Sequence, residues 1–354
     1  MRIVSIVGAR PQFVKLAPID LACRAAGVEH VIVHTGQHYD EQMSDVFFRE
    51  LGIQHPHINL EVGSASHAVQ TARIMEGLEG HLESLNPDWT LVYGDTNSTL
   101  AASLVAVKLH LPLAHLEAGL RSFNRRMPEE HNRVLTDHAS DLLLAPTQEA
   151  ASHLQQEGLG ERTLVVGDVM TDVCLSTAAH VHGERLVGTD GPFVFATLHR
   201  AENTDDPTLL ESLVEAIASI PRTVLLAAHP RLVARSEAYG ISLEQGSIRL
   251  IAPLGYQDLV TAVLTAEGVV TDSGGLQKEA YLLGTPCTTL RTETEWVETL
   301  RDGWNVLEST GGRLSELAAR PAPTGPREPW FGDGHAAERV VDAMTQRCGP
   351  KETR

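Results

Sequence analysis

The sequence predicts an α/β protein made of two doubly wound parallel sheets. Three observations carry this. Short apolar runs alternate with helical patterns from the first residues onward. The alternation restarts after a polar segment, residues 167–191, rich in Thr, Ser, His and Gly. The residues with evident chemistry fall just after the apolar runs, where open α/β sheets bind ligands. The expected domains are residues 1–170 and 171–335, with 336–354 as a last helix and tail. The two sheets are expected to face each other across a cleft that closes on a ligand.

Residues 2–7 open the chain as a buried strand, and 31–35, 90–94, 113–117, 142–145 and 164–166 follow it. Helical stretches lie between them, such as 11–26, where Pro11 suits a first helical turn, and 97–109. The second set of strands is 193–197, 223–228, 249–251, 268–271 and 286–290. Residues 334–346 read as a last helix. No internal repeat or low-complexity tract interrupts the pattern.

At 354 residues the chain is long enough for two ordinary domains. A hydrophobic content of 42% and a mean hydropathy of −0.09 describe a globular chain. No apolar run approaches the roughly 20 residues that span a bilayer. The first residues read as a strand rather than a signal peptide. Cys23, Cys174, Cys287 and Cys348 are scattered, which argues for a reducing cytoplasm and against a disulfide framework or zinc site. A formal charge of −18 argues against nucleic acid and anionic membranes as partners. The pairs His34/His38 and His55/His57 lack a second set with ligand spacing, so no metal is expected.

The most informative stretch is Thr271-Asp272-Ser273-Gly274-Gly275-Leu276-Gln277-Lys278-Glu279. Ser273 sits where a helix N-cap belongs, and two glycines let a ligand approach the backbone. A helix N-terminus suits phosphate. Glu279 shares a helical face with Gly275 and is a candidate for both hydroxyls of a ribose. An ordinary glycine-rich turn is the plain alternative.

Asp95 and Glu117 each close an apolar strand. A carboxylate there is expensive to bury unless paired or functional. If their strands are neighbours, the two crowd, and crowding separates their pKa values into an acid and a base. Capping the next helix is the alternative for Asp95. Glu129 and Glu130 open a helix, where acids are favoured anyway. Arg10 and Lys15 follow the first strand; a single Gly8 there is no dinucleotide fingerprint, so NAD is unsupported. They are either solvated charges or partners for a departing diphosphate. His199 and Arg200 end the first strand of the second half, with Glu202 close behind.

Together these segments resemble the non-hydrolysing UDP-N-acetylglucosamine 2-epimerases. The resemblance rests on Gly8-Ala9-Arg10-Pro11-Gln12, Tyr93-Gly94-Asp95-Thr96, His115-Leu116-Glu117-Ala118-Gly119-Leu120-Arg121, Pro128-Glu129-Glu130-His131-Asn132-Arg133 and Asp272-Ser273-Gly274-Gly275. It runs from the first strand to about Val306. It implies the two-domain glycosyltransferase-B fold, a UDP-sugar substrate, no cofactor, a cytoplasmic homodimer and no membrane insertion. It further implies that Asp95, Glu117 and Glu129 are the catalytic carboxylates, with His199 beside them. Arg10, Lys15, Arg133, Arg200 and Glu202 would contact sugar and diphosphate. Ser273, Gly274, Gly275 and Glu279 would hold diphosphate and ribose, and the loop from Pro253 to Tyr256 would frame the uracil. The stretch Ser122-Phe123-Asn124-Arg125-Arg126-Met127 and the motif His229-Pro230-Arg231 look more like the branch acting on UDP-2,3-diacetamido-2,3-dideoxy-glucuronate. Some bacterial members build a second, activating UDP-N-acetylglucosamine site, which would fall near Gln37–Gln42 and the His229 loop. A glycosyltransferase on the same fold is the main rival, and a binding-only sensor a weaker one.

Overall fold

The first apolar run becomes β1 (Arg2–Val7), and α1 (Arg10–Ala25) follows it directly. This computed structural model describes residues 1–36, 53–183 and 191–348, without the side chains of residues 10 and 11. The order continues with β2 (Glu29–His34), β3 (Ile58–Asn59), α2 (His67–Leu85), β4 (Trp89–Tyr93), α3 (Asn97–Lys108) and β5 (Leu113–Leu116). Then come α4 (Pro128–Ala139), β6 (Leu142–Ala145), α5 (Gln148–Gln156) and β7 (Thr163–Val165). These strands form one parallel sheet in the order β3-β2-β1-β4-β5-β6-β7.

Helices cover both faces, so the inner strands read as continuous apolar runs. Neighbouring residues point to opposite faces. Ile3 and Leu91 pack with Phe13 and Leu16 of α1. Val4 and Val92 pack on the other face with Ile74 and Leu78 of α2 and Ala102 of α3. Each such buried Leu or Ile contributes about 1.5–3 kcal/mol.

The helix α6 (Val169–His180) contains the division between two compact units, Met1–Val173 with Pro329–Arg354, and Cys174–Glu328. The second unit runs β8 (Phe193–Thr197), α7 (Ala201–Thr204), α8 (Pro207–Ala218), β9 (Thr223–Ala227), α9 (Pro230–Tyr239), β10 (Ile248–Ile251) and α10 (Tyr256–Thr265). It continues with β11 (Gly268–Thr271), α11 (Gly274–Leu283), β12 (Cys287–Thr289), β13 (Asn305–Leu307) and α12 (Leu314–Leu317). Its parallel sheet has the order β10-β9-β8-β11-β12-β13. Val194 and Val224 face α8, whereas Phe195 and Leu225 face α10 and α11.

The last helix, α13 (Ala336–Arg347), belongs to the first unit. Val340 and Met344 pack with Phe13 and Leu16, and Trp89 Nε1 donates to Met344 O at 2.9 Å. From the sequence alone, residues 336–354 are expected as a separate terminal helix and tail. In each sheet the strand order reverses at one point, β1/β4 in the first unit and β8/β11 in the second. Ligands bind at such switch points, and the candidate residues lie at those strand ends. Among the described residues no helix is long and apolar enough to cross a membrane, and no disulfide joins the four cysteines.

Candidate active site

β4 and β5 pair in parallel with Tyr93 opposite Leu116. Asp95 and Glu117 therefore leave adjacent strand ends. Asp95 is not the cap of α3; Thr96 fills that role, its side chain accepting from Thr99 N at 3.3 Å. The Asp95 carboxylate pairs instead with Arg133 of α4. Asn132, one residue earlier, donates to Asp95 O at 2.9 Å and fixes the backbone.

Glu117 has φ of 72°, a left-handed conformation that costs a non-glycine residue about 1–3 kcal/mol. Its carboxylate pairs with Lys15 of α1. A Cβ on Gly94 would press on this pair, 3.2 Å from Glu117 Oε2 and 3.5 Å from Lys15 Nζ, so glycine leaves room for it. Burial alone would pull the Lys15 pKa down, but Glu117, Asp95 and Asp168 outweigh it and hold it above its ordinary value. Burial also opposes the charge on Arg133, and Asp95, Glu130 and Glu117 outweigh it. The two crowded carboxylates expected from the sequence thus each face a cation. Lys15 is no solvated charge, because its side chain is only 15% exposed and engaged with Glu117.

Glu129 and Glu130 divide their roles. Glu130 is buried and accepts from Ser122 N, Ser122 Oγ and Phe123 N, each at 2.9 Å, and from Arg133 at 2.9 Å. Burial raises its pKa, but these donors prevail and hold it low. Glu129 is half-buried and lies four residues before Arg133, on the same face of α4. Gln12 stitches the switch point: its Oε1 accepts from Gly8 N at 2.7 Å and its Nε2 donates to Tyr93 O at 2.7 Å.

In the second unit the hub is Asp272, fully buried after β11. It accepts from His199 N at 2.9 Å, Arg200 N at 2.8 Å and Asn203 Nδ2 at 3.1 Å. His199 Nδ1 lies 3.1 Å from its carboxylate, which leaves Nε2 as the outward ring nitrogen. His199 stacks on His229 at 5.0 Å between centroids. Burial first, then His199 and Arg231, lower the His229 pKa against the opposing pull of Asp272. Arg200 pairs with the exposed Glu202 at 2.9 Å, a contact weak enough to rearrange around a ligand.

Ser273 caps α11, its Oγ accepting from Leu276 N. A Cβ on Gly274 would collide with the Glu295 carboxylate, whereas one on Gly275 would meet only Ser273 Oγ, at 4.0 Å. Glu279 is buried one turn further on. Tyr256, at the start of α10, turns its hydroxyl towards Glu279; burial, then Glu279 and Cys174, push the phenol pKa up. Pro253 is exposed in the loop before it. The Arg10 side chain and the stretch Gln37–Gln42 lie outside the described residues.

The structure thus gathers Asp95, Glu117, Lys15 and Arg133 in the first unit, with Glu129 on the Arg133 face. In the second it gathers His199, Arg200 and Glu202 near Ser273, and Tyr256 beside Glu279. Gln12, Glu130 and Asp272 carry these arrangements without having been assigned roles from the sequence. The signal for Asp272 was available: an acid directly after a buried strand needs partners.

Two parallel α/β units with functional groups at their switch points define a glycosyltransferase-B type of fold. A family model described as UDP-N-acetylglucosamine 2-epimerase matches residues 21–345. A protein of Methanococcus maripaludis named UDP-N-acetylglucosamine 2-epimerase homolog is 42% identical, over 97% of this chain and 99% of that protein. The UDP-2,3-diacetamido-2,3-dideoxy-D-glucuronate 2-epimerase of Pseudomonas aeruginosa is also 42% identical, over 98% of this chain and 100% of that protein. The crystal structure of Methanocaldococcus jannaschii UDP-GlcNAc 2-epimerase, in complex with UDP-GlcNAc and UDP, superposes with a TM-score of 0.85 at 38% identity. It covers 98% of this chain and 100% of that one. The chain belongs to the UDP-N-acetylglucosamine 2-epimerase family.

Proposed function

We propose that this isomerase inverts C2 of UDP-N-acetylglucosamine to give UDP-N-acetylmannosamine. The carboxylate–cation cluster of Asp95, Arg133, Glu117 and Lys15 at adjacent strand ends carries the reading. The C2 hydrogen has no neighbouring carbonyl carbon in the ring, so direct deprotonation is very costly. Eliminating UDP removes the obstacle. A base takes the C2 proton, the C–H electron pair forms the C1–C2 double bond, and the C1–O pair leaves with UDP. UDP then re-adds to the glycal while an acid protonates C2 from the other face. Asp95, Glu117 and Glu129 supply base and acid, and Lys15 and Arg133 orient them. The capped N-terminus of α11 holds the leaving diphosphate, with Arg10, Arg200 and His199. Glu279 takes the ribose. Pro253 and Tyr256 bound the base, and Glu202 releases Arg200 to the ligand. The route itself asks for no metal or redox cofactor.

Proton NMR in deuterated water with UDP-N-acetylglucosamine alone is the test. Both the epimer and the recovered substrate are expected to gain deuterium at C2. Epimerisation that retains the original hydrogen overturns the elimination route. No reaction with either UDP-N-acetylglucosamine or the diacetamido-glucuronate until an acceptor is added favours a transferase.

The 42% identity to an enzyme named for a diacetamido-glucuronate favours a second substrate reading. Arg125 and Arg126 are exposed in the loop between Glu117 and Glu129, and either could pair with a C6 carboxylate. On this reading Arg126→Ala lowers kcat/KM for the uronate by about 10-fold or more, the worth of one charge-assisted bond, and spares UDP-N-acetylglucosamine. Equal losses on both sugars, or a wild type inert towards the uronate, leave UDP-N-acetylglucosamine as the substrate. The expected assembly is a homodimer. In support, Val69 of α2, Leu104 and Val107 of α3 and Leu135 of α4 are exposed on helices that pack in series. A light-scattering mass of 38.4 kDa, that of one chain, contradicts it. The scattered cysteines keep the cytoplasm as the expected location, which cell fractionation decides.

A further inference from the structure

The loops bearing Asp95 and Glu117 are tied to one buried ring. His115 lies within β5, and its side chain and that of Asp137 are 0% exposed. His115 Nε2 is 2.7 Å from Gly94 O, and Nδ1 is 2.6 Å from Asp137 Oδ1. A carbonyl oxygen has no proton to give, so Nε2 donates. Burial raises the Asp137 pKa, but His115 and Arg121 outweigh it and hold the carboxyl below its ordinary value. Asp137 is therefore an acceptor, and Nδ1 donates as well. The other oxygen of Asp137 accepts from Gly119 N at 3.1 Å and pairs with Arg121 at 2.7 Å. Arg121 is held in turn by Glu157, with two contacts of 2.8 Å.

One end of this bridge grips the residue before Asp95; the other grips the residue two after Glu117. Gly94, Glu117 and Gly119 all have positive φ, at 60°, 72° and 83°. Sharp turns of this kind hold their shape when surrounding contacts over-determine them. Burying the charges of Asp137 and Arg121 is costly, and apolar residues often fill such a volume at no loss of stability. The cluster is better explained by what it positions than by what it stabilises.

We propose that His115 and Asp137 are positioning residues for the C2 chemistry, a rigid bridge that sets the separation of the Asp95 and Glu117 loops. This rests on the isomerase reading above. Neither residue touches the reacting atoms; each acts through the loop it holds.

The substitutions His115→Asn and His115→Gln separate the two ends. Asparagine keeps a donor where Nδ1 stood, towards Asp137, and loses Gly94. Glutamine keeps a donor where Nε2 stood, towards Gly94, and loses Asp137. Misplacing a catalytic group by an ångström costs about 10²-fold, so His115→Asn is expected to lower kcat by that order. KM and the Kd for UDP should stay within about twofold, since binding lies elsewhere. A residue that acts through another is non-additive with it. His115→Asn should therefore slow Asp95→Asn no further, and His115→Gln should slow Glu117→Gln no further. Fully multiplicative losses, or a folded His115→Asn with wild-type kcat, overturn the proposal. Should neither variant fold, the wild type labelled with ¹⁵N-histidine still decides: it is expected to show a buried ring with two slowly exchanging N–H protons, and its absence refutes the bridge. A wild type that neither turns over nor exchanges C2 of UDP-N-acetylglucosamine or of the uronate refutes the isomerase reading and this inference with it. An active wild type with an unimpaired His115→Asn refutes this inference alone.

Discussion

Asp95→Asn and Glu117→Gln are each expected to cut turnover by about 10²–10⁴-fold, the usual worth of one general acid or base. Both changes keep the shape of the side chain and remove its capacity to take and return a proton. Each also leaves a cation without its countercharge, Arg133 in the first case and Lys15 in the second. The half-buried Lys15 is the more sensitive, because Arg133 keeps an ion pair with Glu130 at 2.9 Å when Asp95 is changed. Glu117→Gln is therefore expected to lower thermal stability as well, whereas Asp95, with a side chain 31% exposed, should affect it less. UDP affinity is expected to change little in either variant, since α11, the helix proposed to hold the nucleotide, belongs to the second unit. Stopped assays give kcat, C2 deuterium exchange reports the proton step alone, and calorimetry gives the UDP affinity. Near-normal kcat in both variants would remove these two carboxylates from the chemistry. Loss of kcat with C2 exchange intact in one of them would assign that residue to the opposite face.

Much of the architecture is legible because a parallel sheet covered on both faces needs uninterrupted apolar strands. β1, β4, β6, β8 and β11 all announce themselves this way. β3, with two residues at the sheet edge, is too short to show a pattern, and β13 opens on the polar Asn305 and has only two apolar residues. The return of α13 to the first unit is silent in the sequence. An amphipathic helix tells that one face is buried but not which sheet buries it. The site divides along similar lines. Asp95 and Glu117 stand out as acids closing buried strands, and Ser273 as a cap before two glycines. Their partners do not stand out, because they come from far along the chain. Lys15 reaches Glu117 across 102 residues, and Arg133 reaches Asp95 across 38. The bridge through His115 and Asp137 spans 22 residues and was hidden for a further reason. A histidine inside a strand looks like any other half-polar residue until its two ring nitrogens have been followed to their acceptors.

Glu279→Gln is expected to weaken UDP binding by about 10–150-fold, the equivalent of roughly 1.5–3 kcal/mol for a hydrogen bond to a charged group. Glu279 is 5% exposed on α11, one turn beyond the capped N-terminus. An ionised carboxylate offers only acceptors, which suits two neighbouring hydroxyls that both donate. Glutamine offers one acceptor and turns two N–H donors into the same space, so one hydroxyl loses its partner. Tyr256 faces this carboxylate too, and the substitution leaves its buried hydroxyl beside an amide. The ribose does not change during the reaction, so its contacts serve substrate and transition state alike. KM should therefore rise while kcat stays near the wild-type value, the reverse of the pattern expected for Asp95 and Glu117. A deoxyribose ligand sharpens the test. The wild type should bind 2′-deoxy-UDP more weakly than UDP, and Glu279→Gln should separate the two ligands by a smaller factor, because the amide keeps only one of the two acceptors. If the variant keeps full affinity for UDP, or still separates UDP from its deoxy form by the wild-type factor, the ribose is held by another residue, and the buried carboxylate of α11 serves only the packing around Tyr256.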